Sequence, residues 1–418
     1  MAPPDLVAPF RGERYAAAEK LSRLIAPPYD VIDPAERARY AALDRDNIVH
    51  VMLPEARPGQ PDDDRYEAAA ERLAAWRASG VLRRDPDPVL YVMAQDFTLP
   101  TGEKCTRRGV FAAALAEGYE PRRIRPHEHT HAGPKADRLA LMRATATNIE
   151  SIFLLAPDRD GSLANAVAAV TAVTQGTPDA TAELNGVGIR LWLVRDPSRF
   201  PLPSSPLYIA DGHHRYETAS SYARENPAAD RLLSFIVSAQ DAGLTVLPTH
   251  RVIFGAGRDL ERMLPHWREV FDVQPVSAGG GRDVVAALAS LGRDRTACIV
   301  ADRSRMVALV MHPGVLPDRL PSLAHSGAVR DLDVARVESL VVKPILGAAM
   351  STPIVRYVPD ANQALDTVQH GGAAMAVLLN PTKVEQVFAV ADAGDVMPPK
   401  STYFIPKVPS GLVLRPLS

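Results

Sequence analysis

Short apolar runs alternate along this 418-residue chain with segments whose apolar residues recur every three or four positions. The runs suit buried strands and the spaced segments suit amphipathic helices, so the chain is limited to folds that pack helices against sheets. Strands are expected at Val89–Phe97, Arg108–Leu115, Ile152–Ala156, Arg190–Val194, Leu207–Ala210 and Leu232–Ser238. More follow at Cys298–Ala301, Met306–Met311, Ile354–Val358 and Ala373–Leu379. Helices are expected near Tyr66–Ser79, from about Asp137, at His213–Glu225, and near Arg258–Phe271, Asp283–Leu291, Asp333–Val342 and Pro381–Ala391. The first two strands read as a hairpin across Pro100-Thr-Gly102. No long regular βαβ series emerges, so the expected class is α+β, with mixed α/β layers. The length allows several domains. Residues 1–116 read as an N-terminal α+β unit, and 117–250 as a core with a small-residue-rich, helical insertion near 158–188. Residues 251–418 read as a C-terminal α/β unit. The thirty-seven prolines are dispersed at the ends of these elements rather than gathered in one tract.

Composition removes several classes. With 47 basic and 49 acidic residues the net charge is −2, which argues against a non-specific nucleic-acid binder, since that needs a basic field. Two cysteines, Cys105 and Cys298, allow neither a disulfide framework nor a cysteine-rich zinc site. No signal peptide pattern and no membrane-spanning run is visible, so a cytoplasmic location without membrane contact is expected. The phosphate-binding motif G-x-x-x-x-G-K-[ST], the G-x-S-x-G elbow and the H-E-x-x-H zinc helix are all missing. Gly255-Ala-Gly257 and Gly279-Gly-Gly281 read as plain loops.

Three segments carry chemistry. In the first, the apolar run Leu207–Ala210 leads into Asp211-Gly-His-His-Arg215 and then directly into a helix. Open backbone N–H groups at a helix start favour anions, and Arg215 adds a two-pronged grip on phosphate. Asp211 can orient a histidine or hold Mg²⁺ through water; the plainer reading has it merely capping the helix. The second segment, Arg122–Lys135, holds Glu128 between His127 and His129 among basic residues, a setting for an ionised proton acceptor. If that segment is extended, His127, His129 and His131 share one face and offer a three-histidine metal site. In the third, Lys400, Ser401 and Thr402 sit in a proline-stiffened loop that suits phosphate or carboxylate. Nearby, Asn380-Pro-Thr-Lys383 reads as a helix start, with Asn380 capping and Pro381 in the first turn. The neutral total also hides a local basic stretch: six Arg/Lys stand between Arg122 and Arg143 against Glu128 and Asp137.

The runs Phe10-Arg-Gly, Ala26-Pro-Pro-Tyr-Asp30, Pro126-His-Glu128, Lys135-Ala-Asp-Arg-Leu139, Asp211–Ala219, Pro248-Thr-His-Arg251 and Pro399-Lys-Ser-Thr-Tyr-Phe404 resemble a large bacterial family known only as a domain of unknown function. The order of Pro126-His-Glu128, Asp211-Gly-His-His-Arg215 and Pro399-Lys-Ser-Thr402 is also similar to that in archaeal free serine kinases, which have a ParB/sulfiredoxin-like domain. That resemblance implies a ParB/sulfiredoxin-like core with an additional N-terminal domain. It implies Glu128 as general base with His127 beside it, and a phosphate and Mg²⁺ site formed by Asp211, Gly212, His213, His214 and Arg215. Lys400, Ser401 and Thr402 would bind substrate or phosphate. Two departures stand out: the interval from Glu128 to Asp211 is longer than in the kinases, and Tyr403-Phe404 replaces their Arg-His.

The expected activity is therefore phosphoryl transfer from ATP or ADP, with Mg²⁺, to the hydroxyl of a small metabolite such as free serine. A metal-dependent hydrolase built on the histidines and a non-enzymatic nucleotide- or DNA-binding protein are the alternatives. For the last, no helix-turn-helix with a basic face is found. Nucleotide and a small metabolite are the expected partners.

Overall fold

The computed structural model describes residues 4–417, apart from 121, 131, 173–175, 205, 256–258, 278, 316–325 and 348–353. It divides into two compact units, Met1–Leu244 with Pro406–Ser418, and Thr245–Ile405.

The first unit is built on a nine-stranded mixed sheet. Its strands are β1 (Val7–Ala8), β2 (Leu90–Thr98), β3 (Lys104–Leu115), β4 (Ile124–Arg125), β5 (Ile152–Ala156), β6 (Ala180–Leu184), β7 (Val187–Val194), β8 (Leu207–Asp211) and β9 (Arg231–Ser238). They lie in the order β4-β8-β5-β9-β3-β2-β7-β6, with β1 also paired to β3. Most pairings are antiparallel, but β4 with β8 and β5 with β9 are parallel. The expected hairpin across Pro100-Thr-Gly102 is the β2–β3 pair, and the N-terminal stretch thus contributes two strands to the interior of this sheet. Position 116 follows β3 directly, and the same compact unit continues to Leu244.

Near-continuous apolar runs on β3, β5 and β9 identify them as strands covered on both faces, which alternating polar residues would prevent. Val110, Ile152, Leu154, Ile209 and Ile236 share one buried cluster with Tyr216 and Ala219 of a covering helix. Each such side chain contributes roughly 1.5–3 kcal/mol when fully buried. Helices α1 (Asp64–Ala78), α2 (Ala132–Thr145) and α3 (His213–Glu225) belong to this unit. On β3, Gly109 is required by close approach: a Cβ there would lie 2.6 Å from the Phe235 ring and 2.7 Å from the Ile236 carbonyl oxygen. The stretch expected as a helical insertion is only partly helical. Ser162–Thr171 is a helix, but Ala180–Leu184 is strand β6 and turns through Asn185-Gly186 into β7. Both turn residues have positive φ (52° and 78°), as this hairpin type demands.

The second unit opens and closes on a two-stranded stem, β10 (Thr245–Leu247) with β17 (Tyr403–Ile405). Between them lie β11 (His250–Phe254), β12 (Phe271–Pro275), β13 (Ala297–Ala301), β14 (Met306–Met311), β15 (Ile354–Val358) and β16 (Met375–Leu379). These form an antiparallel sheet in the order β12-β14-β13-β16-β11-β15. Helices α4 (Leu260–Arg268), α5 (Gly281–Leu291), α6 (Ala361–Gln369) and α7 (Val384–Asp392) accompany it. The helix start expected at Asn380-Pro381 is displaced: α7 begins at Val384 with Lys383 as its flanking residue. Asn380 instead donates its side-chain amide to the Leu288 carbonyl at the end of α5, and Thr382 donates to the Ser401 carbonyl. Both units combine sheet and helix, and the fold is mixed α/β. Among the described residues, no helix is long and apolar enough to cross a membrane.

Candidate active site

Two adjacent parallel strands create the site. The β4–β8 pairing sets Ile124 beside Leu207 and Arg125 beside Tyr208, so both strands end on the same side. The residues at their ends, Pro126-His127-Glu128 and Asp211-Gly212-His213, are thereby brought together, His127 and His213 from 86 positions apart. A register shift between Ile209 and Asp211, where β8 meets β5, turns the last residue of the strand. Gly212 then adopts φ 91°, ψ 31°, a left-handed conformation that lets α3 begin at His213.

Asp211 does not cap α3. Its Oδ1 accepts from Lys407 Nζ at 2.9 Å and its Oδ2 from Arg215 Nη2 at 2.8 Å. Burial by itself raises the Asp211 carboxyl, but Lys407 and Arg215 outweigh it and hold the group well below the usual carboxylate range. Arg215 reaches back one helical turn to this carboxylate and donates its other terminal nitrogen to the Ser151 carbonyl. Burial works against its charge, yet Glu150, Asp211, Asp30 and Tyr29 together raise its pKa. The Glu150 side chain is only 7% exposed and accepts from the Tyr29 backbone N–H at 3.0 Å and from Ser410 Oγ at 3.3 Å. Arg215 Nε is buried without a partner among the described residues, and Arg215 helps Arg138 and Glu150 to line a cavity of about 40 Å³. That space suits one or two waters.

Burial favours the neutral form of His127 and His213. Full burial lowers His127 to about 4, with Ile209 and Asp211 opposing it. Burial, helped by His127, also drives His213 well below its ordinary value. The two rings meet edge to face at 4.7 Å. The His127 backbone N–H donates to His213 Nε2 at 3.3 Å, so the His213 proton belongs on Nδ1. Nδ1 faces Glu128 Oε2 at 3.8 Å, and the Glu128 side chain is 31% exposed. A half-exposed carboxylate beside a neutral imidazole whose tautomer is fixed can accept a proton from a substrate hydroxyl, and the adjoining helix start and cations can hold an anion.

Other expected site residues are placed differently. His214 is half-buried on the first turn of α3. The shared face of His127, His129 and His131 does not form in the described part, because β4 ends at Arg125: His127 is fully buried while His129 is exposed. His131 lies outside the described residues. Among the described residues no group of three or more His, Cys, Asp or Glu side chains is arranged to hold a metal ion. Each Asp211 oxygen accepts from one cation, Arg215 or Lys407. The basic stretch after Arg122 is largely neutralised across the fold: Arg123 pairs with Glu117, Lys135 with Glu217, Arg138 with Asp137 and Arg143 with Glu225.

Lys400, Ser401 and Thr402 belong to the second unit. Lys400 is exposed and left-handed at φ 57°, and its carbonyl accepts from Thr249 Oγ1. Ser401 is buried and donates to the Pro398 carbonyl at 2.6 Å, while Thr402 is half-buried. Pro248-Thr-His-Arg251 supports this loop: Arg251 donates to both Thr249 oxygens and pairs with Glu338 at 3.3 Å. Lys407 and Glu150 are the residues that motif reading did not single out. Glu150 lies in no motif, whereas Lys407 closes the same segment as Lys400 and is set apart only by its tertiary partner.

Several known proteins are similar to this chain. A methionyl-tRNA formyltransferase from Rhizobium leguminosarum bv. trifolii is 34% identical over 105 residues, 23% of this chain. The chain spans about a third (34%) of the length of that curated relative. A conserved hypothetical protein from Pyrococcus furiosus aligns over 72% of this chain and 93% of its own, with 14% identity and a TM-score of 0.36. A free serine kinase in complex with AMP aligns over 71% of this chain and 87% of its own, with 13% identity and a TM-score of 0.37. The family model described as protein of unknown function, DUF1015, matches residues 7–335, and the chain belongs to that family.

Proposed function

We propose that this protein is a phosphotransferase that moves a phosphoryl group from ATP or ADP to the hydroxyl of a small metabolite, with free serine or a similar hydroxy amino acid as acceptor. The observation that carries the reading is the meeting of Pro126-His127-Glu128 with the Asp211–Arg215 turn, expressed in the 3.3 Å His127–His213 hydrogen bond and the 3.8 Å approach of Glu128. Phosphoryl transfer asks a protein mainly for positioning and charge stabilisation. Glu128 accepts the proton of the attacking hydroxyl at a carboxylate oxygen. His213, fixed as the Nδ1–H tautomer, faces that carboxylate at 3.8 Å. The backbone N–H groups at the start of α3 and the charge of Arg215 hold the phosphate oxygens. The motif order shared with free serine kinases supports the acceptor class.

The test incubates the full chain with ATP or ADP, Mg²⁺ and pooled free amino acids and looks for phosphorylated products by mass spectrometry. Glu128→Gln is expected to abolish transfer while leaving nucleotide affinity within about threefold, because the amide keeps the shape but cannot take a proton at neutral pH. Absence of product from the wild-type chain, together with unchanged nucleotide binding in Arg215→Ala, overturns the proposal.

A further inference from the structure

We infer that Glu217 is the positioning residue for Glu128: from the second turn of α3 it fixes the segment that carries the proposed proton acceptor. This inference rests on the phosphotransferase reading above. Residues 126–130, between β4 and α2, form neither helix nor strand. The place of Glu128 therefore depends on where this irregular segment is anchored. Two side chains of α3 anchor it, and they stand four positions apart, on one face of the helix. His213 accepts from the His127 backbone N–H at 3.3 Å, just before Glu128. Glu217 Oε2 accepts from Thr130 Oγ1 at 2.7 Å, just after it. The same oxygen accepts from Lys135 Nζ at 2.7 Å, in the first turn of α2. Lys135 opens Lys135-Ala-Asp-Arg-Leu139, a motif for which the phosphoryl-transfer step itself has no use.

The helix that supplies Glu217 is itself held. Tyr216 and Ala219 pack into the buried cluster of the first unit. The Tyr216 hydroxyl donates to the Glu117 carbonyl at 2.7 Å, and Ser220 Oγ donates to the same carbonyl at 2.9 Å. Tyr119 stacks on the Tyr216 ring at 5.5 Å and donates its hydroxyl to Glu217 Oε1 at 3.1 Å. Both carboxylate oxygens of Glu217 are thus engaged. Burial by itself raises this carboxyl, but hydrogen bonds from Lys135, Thr130 and Tyr119 outweigh it and lower its pKa. An ionised acceptor makes the stronger bonds of its kind. The start of α2 is fixed as well, since Asp137 accepts from the Tyr66 hydroxyl and from Arg138 Nε, both at 2.8 Å. Glu128 is in this way bracketed before substrate arrives. A displacement of about 1 Å at a reacting group costs on the order of 100-fold in rate.

The experiment measures kcat and KM for ATP- or ADP-dependent transfer by the full chain, with amide hydrogen exchange over residues 126–130 as a second readout. Glu217→Ala is expected to lower kcat at least ~10-fold while the nucleotide KM stays within about threefold. Exchange over 126–130 is expected to quicken in that variant while β5 and β9 stay protected. Glu217→Gln keeps one accepting oxygen and is expected to fall between wild type and Glu217→Ala in both readouts. A merely structural glutamate would lower Tm without separating kcat from KM. Thr130→Val removes the same anchor from the other side and takes the place of Glu217→Ala should that one fail to fold. If the wild type transfers phosphate and the variants keep its kcat, or leave exchange over 126–130 unchanged, this inference falls and the phosphotransferase reading stands. If the wild type transfers to no acceptor, both fall.

Discussion

His127 is completely buried in the first unit, and its imidazole titrates near 4 in the folded chain against 6.5 when unfolded. Its ring meets His213, with Asp211 the nearest acidic influence. Between those two pH values the unfolded chain binds a proton that the folded chain refuses, so acidification from 6.5 to 4 favours unfolding. Above 6.5 neither state is protonated at this position and the effect vanishes; below 4 both are and it is constant. At 1.36 kcal/mol for each pH unit between the two values, His127 alone removes about 3 kcal/mol of stability by pH 4. Replacement by glutamine, which does not titrate, is expected to abolish that part of the acid sensitivity. His213 displaces in the same direction, so the variant keeps some of the slope. The assay is equilibrium urea unfolding at several pH values between 7 and 4, in a Trp267→Phe background. Trp76 and Trp192, both in the first unit, then report without signal from the second. That separation matters because two units need not unfold as one transition. If wild type and His127→Gln lose stability in parallel from pH 7 to 4, the argument that His127 is held neutral by burial is refuted.

Two further perturbations probe the loops that carry the motifs. Gly212→Ala places a Cβ 3.1 Å from the Arg215 guanidinium and 3.2 Å from Ile152, at a φ of 91° that side chains resist. It is expected to cost about 1–3 kcal/mol in urea unfolding and to weaken ADP binding by displacing Arg215, and wild-type values on both counts would contradict this. Lys400→Gly removes a charge while relieving a left-handed non-glycine residue at φ 57°. It should leave Tm within about 2 °C of wild type, so any loss of phosphoryl transfer in the same preparation reports on the side chain rather than the fold.

Much of the architecture is visible in the linear pattern because burial on both faces demands unbroken apolar runs. Ile152–Ala156, Met306–Met311, Ile354–Val358 and His213–Glu225 fold over the residues that their periodicity marks. The stretch 158–188 shows where such reading weakens. Small residues suit a helix, yet the last nine residues of this stretch enter an edge hairpin whose local signal is only the Asn185-Gly186 turn. A proline in an expected first turn misleads in the same way at Pro381, because Asn380 finds a better partner in the distant Leu288 carbonyl than in the helix it precedes.

The chemistry divides along the same line. Sequence alone determined which residue types are available and in what local setting: a glycine turn between a strand and a helix, histidines next to it, and a glutamate flanked by histidines. Those features are set by neighbours within a few positions, and local backbone preferences act over that range. Which of them meet was decided by the tertiary structure. The two-residue parallel pairing of β4 with β8 brings Glu128 to His213, and the return of the chain at Pro406 brings Lys407 to Asp211. Burial then decided protonation, keeping His127 and His213 neutral where sequence offered two potential cations. The charge balance was settled the same way. Carboxylates remote in sequence, Glu217 and Glu225 among them, neutralise the basic run after Arg122, and at the turn Asp211 pairs with both Arg215 and Lys407, the latter near the far end of the chain.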